Sequence, residues 1–198
     1  ANVVQTNPGY APGFTYTTNV PPDDGEYTIT NDTRLWSNLY PTWMQTGDND
    51  IDPKGYMMVV NASFMPGIFY EQIIDNLCEN TLYEFSADVL NIVKTGVTGH
   101  TLPNVSFLLD DVVKYSSGQI GQDQEWHTYG FTFTTGPGQF SVKLSLRNNA
   151  PGGTGNDLAL DNISFRACGP ESSVSISPTG KICENSLFPI LTAHIDAD

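Results

Sequence analysis

Positive charge is scarce in this chain: 8 Lys and Arg stand against 22 Asp and Glu, a formal net charge of −14. Such a surface repels a nucleic-acid duplex or an anionic bilayer, and no basic cluster is present to track phosphates, so neither is an expected partner. Long apolar runs are also missing. Nothing approaches the ~18–20 residues of a membrane span, so membrane insertion is not expected. The opening residues, Ala1 to Gln5, read as polar strand rather than as an export signal, which is expected upstream if the parent protein is exported. The marks of catalysis are thin too. No Gly-x-Ser-x-Gly elbow, Cys-x-x-Cys pair or His-x-x-x-His pair occurs, and the three histidines, His100, His127 and His194, are scattered. The adjacent pair Asp110 and Asp111 would point to opposite faces of a strand and is better read as a turn before Val112. No enzyme is expected.

What the chain does have is turn chemistry and alternation. Gly (18) and Pro (13) are plentiful, charged residues make up only 15%, and hydrophobic residues 39%. That mixture suits many short strands better than long helices. Strands are expected at 13–18, 26–30, 56–63, 68–74, 82–92, 104–109, 112–116, 126–134, 140–148 and 158–166. In Tyr129-Gly-Phe-Thr-Phe133 and Val142-Lys-Leu-Ser-Leu146 every second residue is apolar, so each strand has one buried face, the signature of antiparallel sheets. A short turn within 32–40 is the one helical candidate. The expected fold is all-β: a two-sheet antiparallel jelly-roll sandwich over residues 1–170. The texture changes after Cys168-Gly-Pro170, and 171–198 reads as a linker and the first strands (174–177 and 187–193) of a second, truncated β-domain.

Three cysteines are an odd count for an exported protein. Cys78 precedes one strand and Cys168 closes the last, so a Cys78–Cys168 disulfide is expected, with Cys183 lacking its partner. Three buried thiols are the alternative. The loop Asp48-Asn-Asp-Ile-Asp52 alternates the carboxylates Asp48, Asp50 and Asp52 at a spacing that suits Ca²⁺, although it lacks the terminal bidentate Glu of an EF-hand; a solvated acidic loop is the plainer reading. Trp36, Tyr40 and Trp43 fall within eight residues of a polar, turn-rich stretch. Loop aromatics with Asn and Asp neighbours suit a glycan, and equally suit a plug covering one sandwich edge. Trp126 opens a strand patterned for the core and is expected inside.

Four segments carry a family resemblance: Asp24-Gly-Glu-Tyr-Thr-Ile-Thr-Asn31, Gly55-Tyr-Met-Met-Val-Val-Asn-Ala-Ser63, Leu77-Cys-Glu-Asn-Thr-Leu-Tyr-Glu-Phe-Ser-Ala87 and Asn148-Asn-Ala-Pro-Gly-Gly-Thr-Gly-Asn-Asp-Leu-Ala-Leu-Asp-Asn-Ile-Ser-Phe165. Together they resemble the repeated surface domains of large secreted proteins from gliding, Bacteroidetes-type bacteria. More distantly they are similar to the jelly-roll carbohydrate-binding modules of families 4, 9 and 22. An Asp-His-Thr frequent in the surface domains is replaced here by Gly47-Asp-Asn-Asp-Ile-Asp52, so any role of that His is lost. The segment Lys181-Ile-Cys-Glu-Asn-Ser186 resembles the opening of an immunoglobulin- or PKD-like module, in which the cysteine pairs within its own domain.

The resemblance implies an extracellular, cell-surface or secreted module beside other domains of the same chain. It also implies a structural Ca²⁺ with Asp161 as a ligand, Asp157 nearby, and Glu26 and Asp24 as N-terminal partners. Two functions remain: a non-catalytic carbohydrate-binding or adhesive module holding a glycan or polysaccharide on Trp36, Tyr40 and Trp43, or a structural spacer without a ligand.

Overall fold

The structure is a computed structural model that describes residues 2–36, 38–49, 55–63 and 65–168, together with the backbone of two strands beyond them. Glu26–Thr30 forms β2, and Thr15–Tyr16 forms a two-residue β1 parallel to it. Then follow β3 (Met57–Val60), β4 (Gly67–Asp75), β5 (Leu82–Asn91), β6 (Asn104–Leu109), β7 (Val112–Gln119), β8 (His127–Thr134), β9 (Ser141–Asn148) and β10 (Leu158–Ala167). One sheet has the order β1-β2-β3-β10-β5-β8, the other β4-β9-β6-β7. Every pairing but β1–β2 is antiparallel. From β3 onward the chain passes between the sheets at almost every connection, and the β6–β7 hairpin is the exception. The protein is an all-β jelly-roll sandwich, as its patterning implied.

The expected strand at 13–18 shrinks to two residues because Gly13 leans on the other sheet. Its N–H donates to Ile68 O at 3.0 Å, and a Cβ there would lie 2.7 Å from that same oxygen. Asp110 and Asp111 do form the β6–β7 turn. Both have positive φ (49° and 66°), the conformation of a two-residue hairpin turn that matches strand twist. Each serves Lys143, Asp110 by accepting its N–H at 2.8 Å and Asp111 by an ion pair at 2.6 Å.

The inner core follows the alternation. Tyr83, Phe85, Ala87 and Val89 of β5 face Phe107 of β6 and Val142, Leu144 and Leu146 of β9, and Phe69 of β4 joins them. A second apolar cluster lies on the opposite face of the six-stranded sheet. There Met57 and Val59 of β3, Leu90 of β5 and Ala159 of β10 are roofed by Trp36 and Trp43. Those strands are therefore covered on both faces, and β3 reads as four buried residues in a row. Trp126 packs against this outer cluster half-buried, not in the sandwich core where its strand pattern put it.

The expected disulfide is not formed. Cys78 and Cys168 flank the same end of β5, with the N–H of Cys78 on Tyr83 Oη (2.9 Å) and that of Cys168 on Leu82 O (2.8 Å). Both are free thiols, Cys78 open to solvent and Cys168 half-covered, so hydrogen bonds and not a covalent staple secure this end. Cys183 lies outside the described residues. Beyond the sandwich, β11 (Ser172–Ser177) and β12 (Ile190–Ile195) pair antiparallel with each other in a separate two-stranded sheet. Among the described residues no helix is long and apolar enough to cross a membrane.

Candidate functional site

Five connections meet at one end of the sandwich and enclose a cleft of about 310 Å³. Asp24 comes from the β1–β2 turn, Tyr40, Thr42 and Trp43 from the stretch after a 3-10 turn at Arg34–Trp36, and Asn61 from the end of β3. His100 comes from the β5–β6 connection, and Gly153–Asp157 from β9–β10. The volume is at the low end of the ~300–1,000 Å³ typical of ligand pockets, room for a sugar ring.

The aromatic stretch is held by its own turn. Trp36 O accepts the N–H groups of Leu39 and Tyr40 at 2.9 Å, and Met44 N–H bonds Ile92 O at 2.8 Å, which lays the segment across the outer face of the sheet. Trp36 and Trp43 are each only 3% exposed. They form a plug over the sheet, one of the two readings the sequence left open for this cluster. Tyr40 is different. It stacks on Trp43 (centroids 4.6 Å apart, planes at 20°) and is half-exposed at the cleft wall.

Asp157 is the floor. It is buried, and both of its oxygens accept: Oδ1 from Ala62 N–H at 3.0 Å, Oδ2 from the Trp43 indole at 3.1 Å. Burial pushes its carboxyl up to about 7. The two N–H donors oppose that shift, and the charge of Asp24 adds to it. Burial likewise raises the Tyr40 hydroxyl, with Asp23, Asp24 and Asp157 adding repulsion and the Asn61 side chain pulling the other way. The β9–β10 loop is set by close backbone approach. Gly155 has φ +98° and sits against His100 and Thr101, where a Cβ would lie 2.8 Å from Thr101 O. Thr101 N–H bonds Thr154 O and Asn156 N–H bonds Thr101 O, which clamps His100 to the loop opposite Tyr40.

The other expected acidic residues do not gather here. Glu26 accepts Asp23 N–H at 3.0 Å and braces its own turn. Asp161 lies four residues along from Asp157, at a bulge of β10, where its oxygens accept N–H groups from Asn49 and Asn162, both at 2.7 Å. Beside it Asp88 accepts Asn49 Nδ2 at 2.7 Å and Asn162 Nδ2 at 3.0 Å. Burial raises the carboxyl of Asp161, and the charges of Asp48 and Asp88 add to that rise. Asp48 Oδ2 is buried without a hydrogen-bond partner among the described residues. Asp50 and Asp52 lie outside the described residues. Of the two expected calcium sites, the one built on Asp161 therefore divides, with Asp24 and Asp157 at the cleft and Asp161 at the bulge, where Asp48 of the other joins it. No group of three or more His, Cys, Asp or Glu arranged for a metal occurs among the described residues.

Sequence reasoning missed Asn61, His100, Gly155 and Asp88. The Gly-rich run before Asp157 marked a turn, but nothing local showed that it folds onto a histidine more than fifty residues earlier.

No protein-family profile matches the chain, and no curated protein matches it significantly. Solved structures that resemble it include the EclA C-terminal domain, a sugar-binding protein (16% identity over 68% of this chain and 96% of that one, TM-score 0.41). A cyclase from Fischerella sp. TAU is similar at 17% identity over 71% and 73%, TM-score 0.46, and a CBM4 structure at 17% over 72% and 86%, TM-score 0.36. Likenesses this distant leave the functional reading to the cleft itself.

Proposed function

We propose that this domain is a non-catalytic, extracellular sugar-binding module whose ligand enters the five-loop cleft and stacks on Tyr40. The observation that carries the reading is the half-exposed Tyr40 ring, backed face to face by Trp43, in a cleft that also offers Asn61, His100, Thr42 and Asp24. A ring fixed from behind loses little freedom on binding, and the polar groups around it suit hydroxyls. Catalysis is disfavoured because Asp157, the one strongly perturbed acid in the cleft, has both oxygens engaged by N–H donors and none set to protonate a leaving group. The test is affinity electrophoresis through a panel of polysaccharides, wild type against Tyr40→Ala. Retardation of the wild type that the variant loses supports the reading; equal mobility of the two across the panel defeats it, and hydrolysis of any gel polymer defeats the non-catalytic part.

The spacer reading is favoured by one observation, the burial of Trp36 and Trp43 as a plug. It predicts no retardation in any gel. In the same proposal residues 171–198 open a neighbouring β-domain of a longer chain, since β11 and β12 pair only with each other among the described strands. We place the structural Ca²⁺ at the bulge, where Asp48 Oδ2, buried without a hydrogen-bond partner among the described residues, acts on the neighbouring Asp161. A fall in Tm with chelator that Asp161→Ala abolishes would bear this out.

A further inference from the structure

A notch opens on the side of the sandwich, between β4 and β10, and its lining shares no residue with the cleft. β3 pairs with β10 only as far as Met58 opposite Leu160, and β10 bulges between Asp161 and Ser164. The six-stranded sheet therefore narrows there, while β4 runs on to Asp75 in the sheet opposite. The space left is about 250 Å³. Its distance from the cleft follows from β3, which has Tyr56 of the notch just before it and Asn61 of the cleft just after it. Five residue steps of extended strand put the two about 17 Å apart.

One exposed apolar side chain needs no explanation, because much of any protein surface is apolar. Here three converge on one hollow: Tyr10 at 39%, Tyr56 at 40% and Ile163 at 38% exposure. Tyr10 is held in place. Its carbonyl accepts the N–H of Glu71 at 2.6 Å, and its ring leans on the buried Tyr70 with centroids 5.8 Å apart. The polar groups beside the rings are oriented too. The Tyr70 hydroxyl donates to Gln72 Oε1 at 2.6 Å, which leaves the Gln72 amide N–H groups as free donors among the described residues. Asn162 Nδ2 is engaged by Asp88 (3.0 Å) and Asn49 (3.4 Å), which leaves its side-chain carbonyl as an acceptor. A donor and an acceptor beside open ring faces suit a sugar, whose hydroxyls both give and accept while its C–H face covers the rings. Neither Lys nor Arg lines the notch and Asp161 does, so an anion finds no countercharge there.

We propose that this notch is a second sugar-binding site, for a neutral pyranose ring laid against Tyr10 and Tyr56 with its hydroxyls on Gln72 and Asn162. It stands on residues other than those of the cleft, so either site can fail without the other. Tyr10 meets Tyr70 at a tilt of 44°, not face to face as Tyr40 meets Trp43. The notch therefore holds its sugar more weakly than the cleft, and adds avidity when one polymer meets both.

The experiment is a titration of the isotope-labelled whole chain with cellotriose, laminaritriose, xylotriose and mannotriose, read from backbone and side-chain amide NMR signals. At millimolar concentration at least one trisaccharide should shift the side-chain amides of Gln72 and Asn162, in wild type and in Tyr40→Ala alike. Tyr10→Ala and Tyr56→Ala, each at an exposed position, should weaken that response about ten-fold and leave the shifts at Asn61 and His100 unchanged. If the trisaccharides move only the cleft signals, the notch assignment is overturned and the cleft reading stands. If they move the notch signals alone, the notch stands and the cleft reading falls. If Tyr10→Ala and Tyr56→Ala both respond as wild type does, the two rings hold no sugar and the assignment is overturned. The same follows if the notch signals move only with protein concentration, the mark of a contact between copies. If no signal moves with any of the four, the notch assignment is overturned together with the cleft reading.

Discussion

The two faces of the six-stranded sheet are both buried near the cleft, yet by different means. The inner face meets a second sheet, where Phe85 packs edge-to-face on Phe107 at 5.6 Å, and Phe131 from the neighbouring strand of its own sheet flanks it at 6.0 Å. The outer face meets a single irregular segment whose two tryptophans lie across Met57, Val59, Leu90 and Ala159. A sheet cannot give way locally, whereas a loop can settle. The inner face therefore supplies rigidity, and the outer one joins packing to the site, because the indole that covers the sheet also bonds the floor of the cleft and backs Tyr40.

The sharpest way to break this contrast is to remove one ring from each side. Phe85→Ala leaves a void that two sheets cannot close and should cost about 4 kcal/mol of unfolding free energy. Trp36→Ala deletes a larger ring, yet the segment that carries it can settle, so the loss should stay below about 3 kcal/mol. Denaturant melts of the two variants decide it; a Trp36→Ala loss equal to or greater than that of Phe85→Ala would show the plug to be as unyielding as the core.

Asp157, just before β10, makes the next contrast, with Asp161 on that strand. Its folded value of about 7 stands above the ordinary carboxylate value of 3.8, so the folded state holds a proton that the unfolded chain has released. Stability from this group is complete below about pH 4 and is lost as pH rises to about 7, the reverse of an ion-paired carboxylate. The groups that face it are Asp24 and the Tyr40 hydroxyl, with Trp43 and Ala62 donating. The span corresponds to a few kcal/mol at most. Asp157→Asn should melt at a lower Tm than wild type at pH 5 and close that gap, or pass it, at pH 8. Parallel Tm profiles across the range would show that Asp157 does not titrate as its burial demands.

Gly155→Ala tests the loop opposite Tyr40. With φ at +98° and backbone 2.8 Å from the new Cβ, the substitution should cost about 1–3 kcal/mol and push the β9–β10 loop away from His100. A variant that melts within error of wild type and still binds would mean that the loop tolerates displacement and does not shape the cleft.

The strands were legible in the chain because period-two alternation is a local signal, and ten expected positions became β1 to β10, although 13–18 shrank to Thr15–Tyr16 and 56–63 to Met57–Val60. The plug was half legible. A cluster of loop aromatics is visible at 36, 40 and 43, but whether a ring faces sheet or solvent depends on β3 and β10, and β10 lies more than 110 residues away. The cleft was mostly illegible for the same reason. Trp43 and Asp157 are partners across 114 positions, and Asn61 and His100 gain meaning only once five connections meet. The disulfide expectation failed because counting cysteines says nothing of how each thiol is held. The calcium site expected from the resemblance grouped Asp157 with Asp161, whereas the fold separates them by sending one inward and the other to a bulge.

The smallest expected effect on stability sharpens the first contrast most. Tyr40 belongs to the outer cluster but sits at its margin, half-exposed, with Trp43 behind it and the cleft in front. Removing its ring exposes one face of Trp43 and one weak hydrogen bond to Asn61, the 3.3 Å contact, so Tyr40→Ala should cost no more than about 1 kcal/mol. Tyr40→Phe keeps the stack and loses only that contact, and should melt close to wild type. In binding the order changes: the Ala variant should lose sugar from the cleft altogether, while Phe should keep most of the affinity, because the ring face and not the hydroxyl does the stacking. Thermal melts and titrations on the two variants separate the roles. If Tyr40→Ala destabilises the chain as much as Trp36→Ala does, Tyr40 is part of the cover and the cleft has no aromatic wall of its own.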